Sequence, residues 1–308
     1  METPACTTCG SARAVYHRPY SGEKLCRSCF IRSVEDRVRR AIYRYDMFRP
    51  DDRIAVAVSG GKDSLTVLRI LHKIERRFPR SELIAVSVDE GLRGYRDEAL
   101  ERASEFCRSL GVEHVVVSFK KLFGYTVDEA AELDQELGPC TYCGVFRRRA
   151  LNVVARELGA DKLVTGHNLD DVVQTVVMNL LRGNLLELVR FEQDGVLHPK
   201  LVRRVKPLML VPEREVAFYA YLTGIGFQRR VCPYFTRGLR NEVRESLNRL
   251  EVTHPGMKFS VLRGFERLRE ALESMVKASF RECRKCGEPT TGEVCRVCRL
   301  LERLESRA

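Results

Sequence analysis

The sequence predicts an α/β chain, a doubly wound parallel sheet with a small zinc-binding module at each terminus. Three observations carry that prediction. Short apolar runs alternate with helical repeats through the middle of the chain. Polar, glycine-rich turns follow three of those runs, and open parallel sheets hold their ligands at such strand ends. Two cysteine quartets, one near each end, have the spacing of zinc sites.

Residues 1–32 form the first module. Cys6, Cys9, Cys26 and Cys29 are spaced C-x2-C-x16-C-x2-C, and two thiolates on one tight turn can approach a single metal ion together. The polar stretch between the pairs is too short for a core, so metal supplies its folding free energy. His17 also lies there, but four thiolates complete a tetrahedron and leave it at the surface. Residues 33–49 read as a basic linking helix capped by Ser33, with Val34, Val38, Ala41, Ile42 and Tyr45 on one face and arginines on the other.

Residues 50–240 carry the sheet. Strands are expected at 54–58, 83–88, 115–119 and 162–165. Helices are expected from the Leu65, Leu68, Leu71, Ile74 repeat, over 95–110, after the basic start at 145–149, and after the turn at 166–171. A helical region follows over 241–280, including an apolar repeat that runs to 276. Residues 281–308 hold Cys283, Cys286, Cys295 and Cys298, spaced C-x2-C-x8-C-x2-C around Gly and Pro, as in a zinc ribbon.

Composition limits the function classes. The 308 residues are 44% hydrophobic, enough for a sizeable core, which excludes a disordered or collagen-like chain. No run of 18 apolar residues suggests a membrane helix, and the first residues lack a signal-peptide pattern, so a cytoplasmic protein is expected. Ten of the 12 cysteines fall into C-x-x-C pairs, an arrangement disulfide scaffolds do not need, so metal is favoured. The net charge of +11 is dominated by arginine, whose planar fork suits phosphates and bases, and points to a polyanion.

Three motifs carry chemistry. Ser59-Gly60-Gly61-Lys62-Asp63-Ser64 follows a strand and opens a helix, so backbone amides and the helix dipole can receive an anion. It is neither a Walker A loop nor G-x-G-x-x-G. Gly166-His167-Asn168-Leu169-Asp170-Asp171 ends a later strand, and its carboxylate pair can hold Mg²⁺ beside a nucleotide, or simply favour a helix start. Cys140 and Cys143, with the solitary Cys232, fall one thiolate short of a tetrahedral zinc site but can hold three corners of a 4Fe-4S cluster. A redox pair and a persulfide-carrying nucleophile are the rival readings. Cys107 reads as a small buried hydrophobe.

SGGKDS is similar to the PP-loop of ATP pyrophosphatases, a Rossmann-like fold family. With both cysteine quartets, the DEGLRGYR stretch from Asp89, PCTYCGVFRR, TGHNLDD and CPY, nearly the whole chain resembles the archaeal and eukaryotic cytoplasmic tRNA 2-thiolation family, a relation of the TtcA and TtuA enzymes. The resemblance implies a tRNA-uridine 2-sulfurtransferase that releases AMP and pyrophosphate. ATP with Mg²⁺ would sit on Ser59, Gly60, Gly61, Lys62, Asp63, Ser64, Asp89, Gly166 and Asp171 and adenylate the C2 oxygen of a uridine. Cys140, Cys143 and Cys232 would bind a 4Fe-4S cluster whose open iron presents hydrosulfide, with Asp63, Asp170 and Arg147 assisting. Arg147 stands where some relatives have Lys, so electrostatic stabilisation is assigned to it rather than proton transfer. Two Zn²⁺ ions and a tRNA are implied, with a ubiquitin-like sulfur carrier or inorganic sulfide as donor. No membrane partner is expected, and a homodimer is carried as one candidate assembly. The GVFRR and GLRGYR wording favours wobble position 34. The alternatives are the T-loop uridine at position 54, another PP-loop tRNA modification, and a non-catalytic zinc-ribbon RNA-binding protein.

Overall fold

The computed structural model describes residues 4–190, 198–235, 238–273 and 280–308. A hairpin of β1 (Tyr16–Arg18) and β2 (Glu23–Leu25) leads into helix α1 (Arg27–Arg44). The helix starts behind Cys26, not behind Ser33 as the sequence predicts. The Ser33 hydroxyl lies inside the helix, where it donates to the Phe30 carbonyl (2.8 Å) and accepts from Arg18 (2.9 Å). The second cysteine pair closes the turn that launches α1, so the module and the helix are continuous.

The central unit then runs β3 (Arg53–Ala57), α2 (Lys62–Glu75), β4 (Glu82–Asp89), α3 (Arg96–Leu110), β5 (Glu113–Ser118), α4 (Phe119–Phe123), α5 (Val127–Leu133) and α6 (Pro139–Glu157). It continues as β6 (Lys162–Val164), α7 (Leu169–Leu181), α8 (Leu185–Arg190), β7 (Arg203–Val205) and α9 (Glu213–Leu222). Helices α10 (Leu239–Thr253) and α11 (Met257–Glu273) precede a terminal hairpin, β8 (Arg281–Glu282) with β9 (Pro289–Thr290), and α12 (Arg296–Glu305). Residues 274–276 of the predicted apolar repeat lie outside the described residues.

Five strands pair in parallel in the order β5-β4-β3-β6-β7. The chain winds outward from β3 through β4 to β5, then returns to place β6 on the other side of β3. That reversal opens a crevice at the carboxyl ends of β3 and β6, the position where doubly wound sheets bind ligands. Two details differ from the sequence reading. β7 is a three-residue strand, Arg-Arg-Val, too short and too basic for a strand pattern. Phe119 begins α4 instead of ending β5, behind the Ser118 cap.

Alternation along the strands sorts the core into two layers. Ile54, Val56 and Ala85 face α1, α2 and α9, whereas Ala55, Val86 and Val88 face α6. The two cysteine modules join opposite layers. Cys6, Cys26 and Cys29 pack with α1, and Cys283, Cys295 and Cys298 pack beneath α6 and α12. The first module is tied down by Arg18, whose guanidinium meets Glu215 of α9 at 2.7 Å with both side chains buried. The second is tied by Arg303 and Arg307 to Asp134, which also accepts from the Tyr142 hydroxyl at 2.7 Å.

Candidate functional site

The loop after β3 folds tightly on itself. Ser59 and Ser64 hydroxyls lie 3.1 Å apart, the Ser59 amide donates to Ser64 Oγ (3.1 Å), and Ser64 Oγ donates to the Gly61 carbonyl (2.9 Å). Gly60 is left-handed (φ +81°), and a Cβ there would stand 2.2 Å from the Ala99 carbonyl oxygen of α3, so no other residue fits. Helix α2 begins at Lys62 without a side-chain cap, which leaves its first-turn amides open to an anion.

The 166–171 turn packs against this loop backbone to backbone. A Cβ on Gly166 would come within 2.9 Å of the Ser64 amide nitrogen. Asn168 and Asp171 form a reciprocal capping box on α7, and Asn168 Nδ2 donates to Asp63 Oδ1 at 3.1 Å. Lys62 Nζ bridges Asp63 (2.8 Å) and Glu213 (3.0 Å), whose charges outweigh its burial and hold its pKa above the ordinary value. Burial, reinforced by the charges of Asp63 and Glu213, pushes Asp171 up to about 6. Asp170 behaves differently. Its carboxylate is buried, accepts from the Glu213 amide (2.8 Å) and pairs with Lys258 of α11.

On the other side of the crevice, Asp89 ends β4 and accepts from the Gly91 amide at 2.9 Å. Its neighbour Glu90 is buried and meets two arginines, Arg96 and Arg147, each at 2.8 Å. Arg96 also donates to the Ser59 carbonyl (2.8 Å), and Arg147 donates to Cys143 Sγ (2.9 Å). A continuous chain of charged contacts thus runs from the first glycine-rich loop to the middle cysteines. Sequence reasoning gave no individual role to Glu90, Arg96, Asn168 or Lys258; the first three lie within the DEGLRGYR and TGHNLDD stretches it singled out, whereas Lys258 carried no signal.

Cys140 and Cys143 lie within the first turns of α6, which starts at Pro139. The sequence instead suggests a helix that begins after the pair, at the basic stretch 145–149. The Cys140 thiol donates to the Tyr234 carbonyl at 3.6 Å, bringing the Cys232-Pro233-Tyr234 segment alongside. Burial pushes Cys143 up to about 11; Arg147 opposes the rise, while Glu90, Cys232 and Cys140 add to it. The three sulfurs do not all lie within 4.8 Å of one another, as those of each quartet do.

In each quartet the four sulfurs lie within 4.8 Å of one another. Pairs such as Cys9–Cys26 (3.9 Å), Cys283–Cys298 (3.9 Å) and Cys286–Cys295 (3.6 Å) match the edge of about 3.8 Å expected for a tetrahedron with Zn–S near 2.3 Å. The amides of Cys295 and Cys298 donate to cysteine sulfurs, which suits thiolate ligands. His17 is exposed and stands outside the group, and Cys107 is buried in the apolar core.

The crevice is cationic. His167, bonded to Thr165 Oγ1 at 2.7 Å, is lowered to about 4 by enclosure and by the charges of Lys206, Arg240, Arg204 and Arg147. Arg204 is lowered to about 10 by the same enclosure and by Arg148. His167, Arg204 and Arg147 nevertheless reach solvent, which places them on the wall of an open cleft.

Residues 32–251 match the PP-loop domain family, and residues 6–31 match the N-terminal LIM domain of 2-thiouridine synthetase TtuA. The chain is 39% identical to tRNA 2-thiolation protein NcsA of Haloferax volcanii, over 98% of this chain and 99% of the relative. It is also 39% identical to a probable sulfurtransferase of Methanocaldococcus jannaschii, over 97% of this chain and 87% of the relative. Cytoplasmic tRNA 2-thiolation protein 1 of Chlamydomonas reinhardtii is 37% identical, over 99% and 86% respectively. Among solved structures, the U34-tRNA thiolase NcsA from Methanococcus maripaludis with its [4Fe-4S] cluster superposes with a TM-score of 0.87 at 38% identity, covering 99% of this chain and 97% of that one.

Proposed function

The chain belongs to the PP-loop family of tRNA 2-thiolation proteins, and on that premise we propose how its residues replace the C2 oxygen of a tRNA uridine with sulfur at the expense of ATP. The observation that carries the reading is the meeting of the two motif loops and the three middle cysteines at the carboxyl end of one sheet, linked through Arg96, Glu90 and Arg147.

The open amides of α2 and the Ser59–Ser64 loop receive the phosphates of ATP, with Lys62 beside them and Asp89 toward the nucleoside. Asp63 and Asp171 repel each other at close range, and a Mg²⁺ ion between loop and phosphates would relieve that repulsion. The existing bonds of Asp170 favour a positioning role that joins α7 to α9 and α11, leaving Asp171 as the carboxylate nearer the chemistry. The uridine C2 oxygen attacks the α-phosphorus, pyrophosphate leaves, and the oxygen becomes part of a good leaving group. Hydrosulfide sulfur then adds at C2, its proton is lost, and AMP departs with the original oxygen. Arg147 and the other cleft cations stabilise the negative charge that develops in both steps. A 4Fe-4S cluster held by Cys140, Cys143 and Cys232 would supply an iron with an open position for the sulfur donor. Each terminal quartet would hold one Zn²⁺.

The partner is tRNA, with sulfide or a ubiquitin-like thiocarboxylate carrier as sulfur source, and the names of the relatives support a cytoplasmic setting. Position 34 is favoured by the structural likeness to a U34-tRNA thiolase. Position 54 draws on the match of residues 6–31 to TtuA. Anaerobically reconstituted protein, given ATP, sulfide and unmodified tRNA, is expected to form 2-thiouridine that nucleoside mass spectrometry maps to position 34. No 2-thiouridine at any position would overturn the reading.

A further inference from the structure

A cavity of about 980 Å³ lies on the flank of the molecule, walled by the β1–β2 hairpin, α1 and the α10–α11 turn. It is lined by Tyr20, Arg37, Arg40, Arg44, Phe259 and Arg263 among others, and by no residue of the motif loops or the middle cysteines. Three of these arginines, Arg37, Arg40 and Arg44, recur on one face of α1, and the like charges of Arg37 and Arg40 repel unless an anion offsets them.

Most nearby carboxylates are already committed. Glu266 is taken by Arg44 (2.7 Å) and the Tyr45 hydroxyl, Glu251 by the amides of Gly256 (2.7 Å) and Lys258 (2.9 Å), and Glu215 by Arg18 and Tyr20. Among the described residues, Arg37 and Arg40 make no hydrogen bond or ion pair; the nearby Glu23, whose carboxylate feels the Arg37 charge, is bonded to Arg18 and Ser21. Arg37 instead lies 5.0 Å from the Tyr20 ring centroid and 5.6 Å from that of Phe259. The two rings are themselves 5.0 Å apart, and the buried Glu215 anchors the Tyr20 hydroxyl. A guanidinium stacked on a pinned aromatic ring keeps its N–H donors and its outer face free for an anion and a planar base.

We propose that this cavity holds the phosphodiester backbone of the RNA substrate, with an unstacked nucleotide against Arg37, away from the uridine that reacts. The proposal rests on the reading of the chain as a tRNA-modifying enzyme and adds where else the tRNA is held. Arg37 and Arg44 stand seven steps apart on α1, about 10 Å at about 1.5 Å per step, which suits successive phosphates better than a single ion. Loop nucleotides of structured RNA are held by this combination of aromatic, arginine and phosphate contacts. Occupancy would also be felt at the reaction centre, because Lys258, between the lining residues Met257 and Phe259, pairs with Asp170 at the start of α7.

The test uses the full chain and unmodified tRNA, with binding followed between about 50 and 200 mM salt. The variants are Arg40→Gln, Arg37→Gln and the double substitution; Arg40 is exposed, so its variant keeps the test meaningful should Arg37→Gln disturb packing. The double variant is expected to bind tRNA about 10- to 30-fold more weakly near physiological salt, with a log–log salt slope shallower by about two. ATP affinity should be unchanged, and thiolation should show a raised KM for tRNA with kcat retained at saturation. Wild-type affinity and slope in all three variants would overturn the proposal and leave the enzyme reading intact. Loss of binding to inorganic phosphate or AMP with unchanged tRNA affinity would also overturn it, assigning the cavity to a small anion. Wild-type protein that fails to bind tRNA would defeat the enzyme reading itself.

Discussion

Glu90 shows how much of the site depends on groups that do no chemistry. Its buried carboxylate holds Arg96 on one side and Arg147 on the other. Glu90→Gln leaves Arg96 buried without its counter-charge, and we expect a loss of about 3 kcal/mol in urea unfolding, since breaking a buried pair costs roughly 3–5 kcal/mol. A loss below about 1 kcal/mol would show that the pair is not structural. His114 supports the same loop from β5. Its Nε2 lies 2.7 Å from Ser87 Oγ, which donates to the Val58 carbonyl just before Ser59, so the ring donates through Nε2–H. Burial and Arg96 lower its pKa below the ordinary 6.5. The unfolded chain therefore binds the proton more readily, and this residue's contribution to stability falls as pH drops through about 6.5. Unfolding free energies of the wild type and His114→Gln should diverge at pH 7.5 and converge toward pH 5; parallel curves would contradict the assignment. Asp63, Gly60 and the cysteines were legible because their meaning lies in spacings of a few residues. Arg147 and Glu90 are 57 positions apart, and Arg18 and Glu215 are 197 apart, so their pairing left no local trace.

At the scale of elements, glycines that share the left-handed region are not equivalent. Gly60→Ala would drive a Cβ into the α3 backbone and is expected to abolish ATP binding and lower stability by several kcal/mol, whereas Gly94→Ala meets nothing within 4 Å and should cost about 1 kcal/mol. Nucleotide titration and thermal unfolding of the pair distinguish steric exclusion from backbone strain alone. The cysteine quartets make a separable prediction. With one Zn²⁺ per quartet, as proposed, Cys9→Ser should lower zinc content from two per chain to one and loosen the α1 side of the core, while Cys286→Ser should spare that side and loosen the packing under α6. Elemental analysis together with hydrogen exchange reads both. The sheet was legible in four of its five strands because those strands are apolar runs. β7 was not, because three residues rich in arginine become a strand only through pairing with β6. The start of α1 was misread for a related reason: Cys26 caps it only once its module has closed.

For the whole molecule, the net charge of +11 could be counted from the sequence, but its distribution could not. Folding gathers Arg147, Arg204, Lys206 and Arg240 around His167 and sets a second arginine group on the flank. Affinity for tRNA should accordingly fall by orders of magnitude between about 50 and 200 mM salt, as expected when several phosphates displace counterions. A flat dependence would mean that these cations do not face RNA. The chain of contacts from the Ser59 carbonyl through Arg96, Glu90 and Arg147 to Cys143 has a further consequence for inhibitor design. Each link is 2.8–2.9 Å long, and Glu90 and Arg96 at its centre are shielded from water, so the Ser59–Ser64 loop, proposed above to hold ATP, and the Cys143 sulfur sit at a fixed span instead of on independently moving parts. A compound that joins an adenosine phosphate mimic to a thiol-binding group would therefore have one matching tether length. Potency plotted against tether length should form a sharp peak, not the broad plateau that a flexible gap would give.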